Sequence, residues 1–355
     1  MVTHIFLKDI LTVFQKRMSL LLFFLFLASP VLAQDSSLRL VSSPLPISLT
    51  VEPGKVATTQ LKVKNAGTTE EHLKIDILKF NAYEDSGKPA LMDLEPTDTF
   101  DDWVSFSEST FSLAPEEWKT ITVTFTVPET AAFGYYYAFV FSRSDEGLIP
   151  QPQQTAVVGG TATLVLLEAR VPDARREVTV TEFSTDKKVY EFLPTRFTVA
   201  LKNTGNVHVA PRGNIFLSDW KGKEIALLEV NEAKGNILPN SNRIFESDWN
   251  DGFPVYKMKL DNNAVVLDEA GNPTFDLVWD FEQASKLRFG KYTAKLLLIY
   301  DDGTRDIPIE GYVSFWVMPW RIIGSGMFVS LFFFIGIRST LSKVWRKFFP
   351  LSPGN

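Results

Sequence analysis

Cysteine is absent from all 355 residues of the chain, and histidine occurs only three times. Without cysteine there can be no disulfide, no thiolate metal site and no thiol nucleophile. Exported domains of animal receptors usually carry disulfides, because their compartment oxidises thiols. If this chain is exported, hydrophobic cores alone must hold its domains together, which favours a bacterial cell-surface protein.

Recognisable catalytic patterns are also absent from the sequence. It contains no Gly-x-Ser-x-Gly, no phosphate loop, no dinucleotide fingerprint and no His-Glu-x-x-His. His72 and His208 each stand without a second histidine at metal-ligand spacing. We therefore predict no catalytic residue, no cofactor and no metal site. Two alternatives stay open: the acidic residues 98–102 could recruit calcium, and a pair of carboxylates could serve a glycosidase.

Positive charge is scarce in the central part of the chain. Residues 34–319 contain 28 basic and 41 acidic side chains, a formal charge of −13, whereas the whole chain carries −6. A surface of this sign repels nucleic acid and other polyanions. We expect no nucleic acid as a partner.

Long hydrophobic runs are confined to the two ends of the chain. Near the C-terminus, residues 322–337 are almost continuously apolar. A helix satisfies its own backbone hydrogen bonds in lipid, so this run predicts a transmembrane helix over residues 320–338. A basic tail, residues 339–355, follows it. The side chains predicted to anchor the helix at its two ends are Trp320, Arg321, Arg338, Lys343, Arg346 and Lys347.

The N-terminal run predicts a secretory signal peptide over residues 1–33. Lys16 and Arg17 precede an apolar stretch, and the small residues before Ala33 suit a cleavage site. Basic tails stay on the cytoplasmic side of a membrane. The chain is thus expected to cross the cell membrane once, with its C-terminus in the cytoplasm and its cleaved N-terminus outside. An uncleaved signal anchor is the alternative.

Between these two runs, apolar and polar residues alternate with a period of two. Ile47–Val51 and residues 59–65 and 73–78 are three such runs, separated by Pro, Gly and Asn. Similar runs continue to Val317, so we predict an all-β fold of two tandem immunoglobulin-like antiparallel β-sandwiches plus the C-terminal helix. The predicted limits of the sandwiches are residues 36–171 and 172–317.

The two predicted sandwiches repeat one local pattern. In each, a proline-containing turn leads into an alternating strand that ends at Asn-x-Gly, first at Asn65 and Gly67 and again at Asn203 and Gly205. Asn and Gly tolerate positive φ, which a chain leaving a strand often needs. The repeat indicates two copies of one sandwich type.

Long insertions interrupt the strand pattern at residues 83–106 and at about 249–287. The second is rich in apolar residues, so we predict an extra hairpin at residues 256–267 and a helical turn near Gln283. Insertions on a rigid sandwich often carry a binding surface, and aromatic rings stack on sugars or on other proteins. For the strand that holds Tyr135 and Tyr137, packing in the core is the alternative. The candidate binding residues are Tyr135, Tyr137, Trp249, Tyr256 and Trp279.

Several of these segments resemble the WxL-interacting proteins, a family of bacterial cell-surface proteins. The similar segments are residues 51–65, the tripeptide Phe133-Gly134-Tyr135, and residues 202–206, 237–243 and 289–292. The resemblance implies a peptidoglycan-binding first sandwich, and attachment to the cell wall or to a partner surface protein. The acidic charge and the insertion from Trp249 depart from the family pattern and leave the ligand open.

The sequence therefore predicts a membrane-anchored binding or structural protein of the bacterial cell surface that contacts peptidoglycan or another surface protein. Two alternatives belong to other classes. A membrane-tethered chaperone or assembly factor would lend a sheet edge to another exported chain, and a carbohydrate-active enzyme would place two carboxylates across a cleft.

Overall fold

The computed structural model describes residues 38–144 and 160–348. The predicted signal peptide, residues 1–33, and the last part of the predicted tail, residues 349–355, lie outside the described residues.

In the first sandwich the described residues, 38–144 and 160–171, form two sheets with ten strands. The strands are β1 (Leu40–Ser43), β2 (Ile47–Val51), β3 (Val56–Asn65), β4 (Glu71–Tyr83), β5 (Lys88–Met92), β6 (Val104–Phe106), β7 (Thr110–Leu113), β8 (Trp118–Thr126), β9 (Phe133–Arg143) and β10 (Gly160–Ala169). One sheet has the order β1-β3-β8-β6, and the other has the order β2-β10-β9-β4-β5, with β7 also paired with β4. Strands β2 and β10 pair in parallel, and the other neighbouring strands of these two sheets pair antiparallel. A one-turn helix, α1 (Phe100–Trp103), precedes β6.

Alternation along these strands places the core of the first sandwich. Leu61 of β3 and Val123 and Phe125 of β8 are fully buried, whereas the residues next to them along each strand are polar. From the opposite sheet, the ring of Phe139 lies 6.2 Å from the ring of Phe125. Burying one such side chain contributes roughly 1.5 to 3 kcal/mol. The period-two pattern therefore fixes which face of each strand is buried.

The second sandwich also consists of two sheets. Its strands are β11 (Val178–Thr185), β12 (Val189–Tyr190), β13 (Thr195–Asn203), β14 (Arg212–Ser218), β15 (Glu224–Val230), β16 (Asn242–Trp249), β21 (Gly290–Asp301) and β22 (Asp306–Val317). The sheet orders are β11-β13-β16 and β12-β22-β21-β14-β15. The predicted all-β fold with two immunoglobulin-like sandwiches is confirmed.

An arm fills the predicted insertion between β16 and β21. It contains β17 (Val255–Met258), β18 (Leu260–Asp261), β19 (Ala264–Val265), β20 (Phe275–Val278) and a 3₁₀ helix (Phe281–Lys286). The helical turn near Gln283 is thus confirmed. The predicted hairpin at residues 256–267 is wrong in its pairing, because Tyr256 pairs with Leu277 of β20. The turn at residues 262–263 closes only the short β18–β19 hairpin inside the arm.

The C-terminal helix, α2, extends over Trp320–Phe348. Its segment Trp320–Ser342 is 23 residues long, apolar enough to cross a membrane, and not buried against the rest of the described chain. The helix itself continues past Arg338, the predicted end of the transmembrane segment, through the uncharged residues 339–342. Lys343, Arg346 and Lys347 therefore lie on the last turns of α2 and not in a separate tail.

The repeated Asn-x-Gly pattern has a structural counterpart in each sandwich. The Asn65 side-chain amide donates to the carbonyl oxygens of Thr69 and Leu113, and its oxygen accepts from the Gly67 N–H at 2.8 Å. The sequence pattern suggested that these residues adopt positive φ. That explanation is wrong, because neither the two asparagines nor the two glycines of the pattern have a positive φ angle. The pattern is used for side-chain hydrogen bonds that close the strand exit.

Candidate functional site

Two of the predicted binding residues, Tyr135 and Tyr137, turn toward the interior of the first sandwich. The ring of Tyr137 stacks on Phe100 of α1 with 3.8 Å between ring centroids, and its hydroxyl donates to Asp98 at 3.1 Å. Burial, together with the negative charge of Asp98, raises the pKa of the Tyr137 hydroxyl. Tyr135 lies beside them, 6.4 Å from the Phe100 ring. The prediction that these rings form an exposed surface is wrong for Tyr137, because insertion 83–106 folds α1 over it.

The acidic residues 98–102 are part of this same packing. Asp98 accepts from the Glu95 N–H at 2.9 Å, from Lys79 at 3.2 Å and from Tyr137. These donors, the Glu95 N–H first, hold the pKa of its carboxyl below its usual range against the opposing effect of burial. Among the described residues no group of three or more His, Cys, Asp or Glu is arranged to hold a metal ion. This segment is therefore a loop that is held against the sheet by the hydrogen bonds of Asp98 to Lys79 and Tyr137.

Trp249, the third predicted binding residue, is a core residue of the second sandwich. Only 1% of it is exposed, and its ring lies edge-on to Tyr292 at 5.1 Å. It cannot contribute to an exposed surface. Its position is explained by β16, in which Phe245 and Trp249 share the inward face while the residues between them are mostly exposed.

Tyr256 and Trp279 are the two predicted residues that the structure brings together. Both pack on Phe192, each with 6.2 Å between ring centroids, at the base of the arm. Tyr256 also lines a groove of about 910 Å³ between the arm and β12, where exposed Val189 and Met258 lie. These two residues lie in the second sandwich, so they form no common surface with Tyr135 and Tyr137 of the first.

The edge of β10 is a site that the sequence did not indicate. Strand β2 pairs with β10 only over residues 165–169, whereas β9 pairs with all ten of its residues. Among the described residues, residues 160–164 of β10 therefore have a backbone partner on one side only. Strand β1 lies against the middle of this edge, where the Thr163 hydroxyl donates to the Ser42 hydroxyl at 2.9 Å and both residues are buried.

A cleft between the two sandwiches lies next to this edge. It holds about 170 Å³ and is lined by Leu164 and Leu166 of β10 and by the loop at residues 233–238 of the second sandwich. Leu238 from that loop is buried among apolar residues of the β10 sheet, including Phe80. On the side of the first sandwich the cleft is bounded mainly by apolar residues, with Asn81 and Lys88 also in its lining.

Arg243 of β16 supplies a positive charge to the cleft. Its Nη1 donates to the Asn236 carbonyl oxygen at 2.8 Å, and its guanidinium lies over the Phe245 ring at 5.2 Å. Burial lowers the pKa of this guanidinium, and it forms no ion pair with any carboxylate of the described residues. A half-buried arginine without a carboxylate partner is a natural site for an anionic group.

Polar contacts fasten the two sandwiches to each other around the cleft. Glu168 of β10 is buried and pairs with Arg176, just before β11. Tyr136, on the outer face of β9, lies edge-on to His208 at 5.7 Å. The Ile244 N–H donates to the Asp85 carbonyl oxygen at 2.8 Å, across the junction. These contacts fix the position of the second sandwich relative to the cleft and to the edge of β10.

Comparison with known proteins gives weak structural similarities. No protein-family model matches the chain, and no curated protein matches it. The class 5 fimbrial chaperone CfaA is 12% identical, with a TM-score of 0.35 over 77% of this chain and 98% of its own. A chain of the CsuC–CsuE chaperone and tip subunit complex of Acinetobacter baumannii is 13% identical, with a TM-score of 0.30 over 58% of this chain and 89% of its own. The Pseudomonas aeruginosa chaperone CupB2 is 10% identical, with a TM-score of 0.30 over 78% of this chain and 100% of its own.

Proposed function

We propose that this chain is a membrane-anchored binding protein outside the cytoplasm that captures an extended segment of another exported polypeptide. The observation that carries the proposal is the pairing of β10, whose residues 160–164 have a backbone partner only in β9 among the described residues. Unpaired N–H and C=O groups along a strand are a template for an added strand. This function corresponds to a chaperone or assembly factor and needs no catalytic group.

The captured segment would continue the line of β2 along β10. Ala162 and Leu164 are half-buried and pack on the apolar cluster on the outer face of the β10 sheet. Side chains of an added strand alternate between the two faces, so every second one would extend this apolar surface. Backbone hydrogen bonds would then supply affinity for many sequences, and the apolar positions would supply selectivity.

Arg243 would bind an acidic group of the partner where the segment reaches the cleft. The guanidinium is already partly desolvated, so pairing with a carboxylate costs less than it would for a fully hydrated arginine. A polypeptide supplies such a group as an Asp or Glu side chain or as its C-terminal carboxylate. This requirement distinguishes the proposed partner from an uncharged polymer.

The anchor determines where the partner is met. Only two residues separate β22 from α2, so the second sandwich stays next to the membrane and the first sandwich presents β10 further from it. The external location of both sandwiches is inferred from the predicted signal peptide and from the basic end of α2. The partner would thus be a polypeptide emerging at, or assembled near, the outer face of the membrane.

A cell-wall polymer as ligand has less support. That hypothesis relied on exposed aromatic rings for sugar stacking, and Tyr137 and Trp249 are buried. Trp118 and Phe133 are exposed aromatic residues of the first sandwich, but most exposed aromatic side chains of the described residues belong to the second sandwich and to α2.

Site-specific photocrosslinking in intact cells of the source organism tests the proposed function. A photoreactive amino acid at Thr161 lies on the free edge of β10, and one at Thr68, on the exposed β3–β4 turn, is the matched control. We expect ultraviolet light to yield adducts with an exported polypeptide at Thr161 and not at Thr68. Arg243→Gln in the same protein should reduce the yield severalfold.

Two outcomes would contradict the proposal. Adducts that resist proteases but are released by a peptidoglycan hydrolase would identify the wall polymer as the ligand. Equal yields at Thr161 and Thr68 would show that the β10 edge has no special role.

A further inference from the structure

The end of the second sandwich from which α2 emerges carries three exposed aromatic side chains. Trp220 is 67% exposed, Phe281 is 73% exposed and Phe289 is 56% exposed. Single exposed apolar residues are common on proteins, whereas several of them grouped at one place mark an interaction surface. They belong to three different segments, so the fold has brought them to one end.

Phe289 lies beside the entry to α2. It precedes Gly290, the first residue of β21, and Gly290 pairs with Val317, the last residue of β22. Helix α2 begins three residues after Val317, at Trp320. The backbone of Phe289 is held there, because its N–H donates to the Tyr292 hydroxyl at 3.1 Å.

Trp220 is held at the same end by its contact with Gly290. It lies in the turn between β14 and β15, and a Cβ atom at Gly290 would lie 3.3 Å from Cδ1 of its ring. Gly290 has φ +114, a conformation that other residues rarely adopt. The indole therefore sits against the first residue of β21.

Phe281 reaches this end through the base of the arm. It is the first residue of the 3₁₀ helix, and its ring lies 5.5 Å from the ring of Phe253. The Phe253 N–H donates to the Lys286 carbonyl oxygen at 3.1 Å, three residues before Phe289. The 3₁₀ helix is thereby held near the start of β21.

The sandwich cannot move far from the membrane surface if α2 crosses the membrane. Met318 and Pro319 alone connect β22 with α2, and the Met318 N–H donates to the Tyr190 carbonyl oxygen at 2.7 Å. Arg321, the second residue of α2, forms an ion pair with Glu191 at 3.3 Å. Phe289 and Trp220 are thus kept close to the start of α2, and the 3₁₀ helix that carries Phe281 is held near the same end of β21.

We infer that Trp220, Phe281 and Phe289 lie in the headgroup region of the outer leaflet and form, with Trp320, a second contact of this protein with the membrane. Tryptophan prefers that region because its ring is apolar and its indole N–H is polar, and exposed phenylalanine rings bury apolar area at the boundary between headgroups and acyl chains. The neighbouring side chains carry both signs of charge, as Lys221 beside Trp220 and Glu282 beside Phe281 show. Charges of both signs suit headgroups and exclude deep insertion.

This contact would fix the orientation of the second sandwich on the bilayer, which one helix alone does not do. The inference depends on α2 crossing the membrane and is independent of what β10 binds. The partner is a lipid surface, chosen over a second protein because the strand end that carries Phe289 and contacts Trp220 is joined to the apolar helix α2 by two residues only.

Because the chain contains no cysteine, single-cysteine spin labels test this inference on the full chain without removing native residues elsewhere. The labelled variants are Phe281→Cys and Phe289→Cys, with Thr68→Cys as a control in water and Phe332→Cys on α2 as a control in lipid. Each protein is placed in nanodiscs of phosphatidylcholine and phosphatidylglycerol. Collisions of the label with oxygen and with a water-soluble nickel chelate are then measured. All four replaced side chains are exposed, so none of the replacements removes a core contact.

We expect the ratio of oxygen to nickel accessibility at Phe281→Cys and Phe289→Cys to exceed that at Thr68→Cys at least about threefold, and to stay below that at Phe332→Cys. Ratios equal to the Thr68→Cys value at both positions would overturn the inference. Protection of both labels from oxygen and from nickel alike would also overturn it, because that result indicates a protein partner at this surface.

Discussion

Asn65 and Asn203 make the same three hydrogen bonds in the two sandwiches. Each side-chain amide donates to the carbonyl oxygen four residues later, at 2.7 Å for Asn65 and 2.8 Å for Asn203, and to a second carbonyl from a distant segment. Each side-chain oxygen accepts from the N–H of the glycine two residues later. Both asparagines are fully buried. The two sandwiches therefore share one buried network of asparagine hydrogen bonds, located at the C-terminal ends of β3 and β13.

Replacing Asn203 with alanine should destabilise the folded chain by roughly 2 to 4 kcal/mol, because the buried Val207 carbonyl oxygen and Gly205 N–H lose their side-chain partner and the Ile237 carbonyl oxygen keeps only the Val209 N–H. Urea unfolding of the full chain in detergent micelles measures the change. Thr204→Ala, at the neighbouring exposed position, should change stability by less than about 0.5 kcal/mol. Equal effects of the two substitutions would contradict the role assigned to Asn203.

The ion pair between Glu168 and Arg176 should matter more than a surface pair of the same kind. Glu168 is buried, so Arg176→Ala leaves an uncompensated charge and should cost about 3 kcal/mol in the free energy of unfolding. Glu108→Gln, which breaks the exposed pair with Lys119, should cost at most about 1 kcal/mol. The same unfolding experiment compares the two, and a smaller loss for Arg176→Ala would show that this pair does not fasten the junction.

His208 should make stability depend on pH. Burial, with a smaller contribution from the positive charge of Arg176, lowers the pKa of His208 from 6.5 to about 4. Besides Arg176, its surroundings include the Tyr136 hydroxyl, 3.4 Å from Nδ1, and Glu168, which Arg176 neutralises. Between these two pKa values the unfolded chain binds the proton more readily, so stability is complete above about pH 6.5 and falls as the pH drops toward 4.

The loss attributable to His208 should approach but not exceed about 3 kcal/mol over that range. Unfolding free energies of the native chain and of His208→Asn, measured from pH 7 to pH 4, isolate it. Carboxylates titrate in both proteins, so the difference between the two curves is the relevant quantity. The same dependence of stability on pH in the native chain and in His208→Asn would refute the prediction.

Trp249 should behave as a core residue and Trp279 as a surface residue. Trp249→Ala should cost about 3 to 5 kcal/mol, because a large cavity would remain in the second sandwich. The indole N–H of Trp249 has no hydrogen-bond partner among the described residues, so Trp249→Phe should be far milder than Trp249→Ala. Trp279→Ala, 46% exposed in the native chain, should cost about 1 kcal/mol. A loss for Trp279→Ala as large as that for Trp249→Ala would contradict this assignment.

The fold can be predicted from the sequence because strands and the C-terminal helix are indicated by local patterns of apolar and polar residues. Period-two runs such as Ile47–Val51 identify strands without knowledge of their partners, and the apolar run after Trp320 identifies a helix by length and composition. The arm was placed between the correct strands for the same reason. The strand pairing inside the arm is not predicted correctly. Tyr256 pairs with Leu277, 21 positions further along, whereas the turn at residues 262–263 is nearer in sequence and fits a hairpin equally well.

The site was much less accessible, because burial depends on distant segments. Tyr137 is covered by Phe100 of α1, which belongs to an insertion whose path alternation does not predict. The free edge of β10 depends on how far β2 follows it, and only the register shows that pairing begins at Val165. Arg243 gave no signal of its own, since nothing in the sequence places it in a cleft without a carboxylate partner.

Backbone amide exchange at residues 160–164 tests the central claim most directly. The full chain in detergent micelles is compared alone and together with the polypeptide recovered by crosslinking at Thr161. Strand addition along β10 predicts that alternate amides of residues 160–164, whose N–H groups point to the open edge, exchange at least about tenfold more slowly in the complex. Unchanged exchange at all five amides, with the polypeptide demonstrably bound, would contradict the claim.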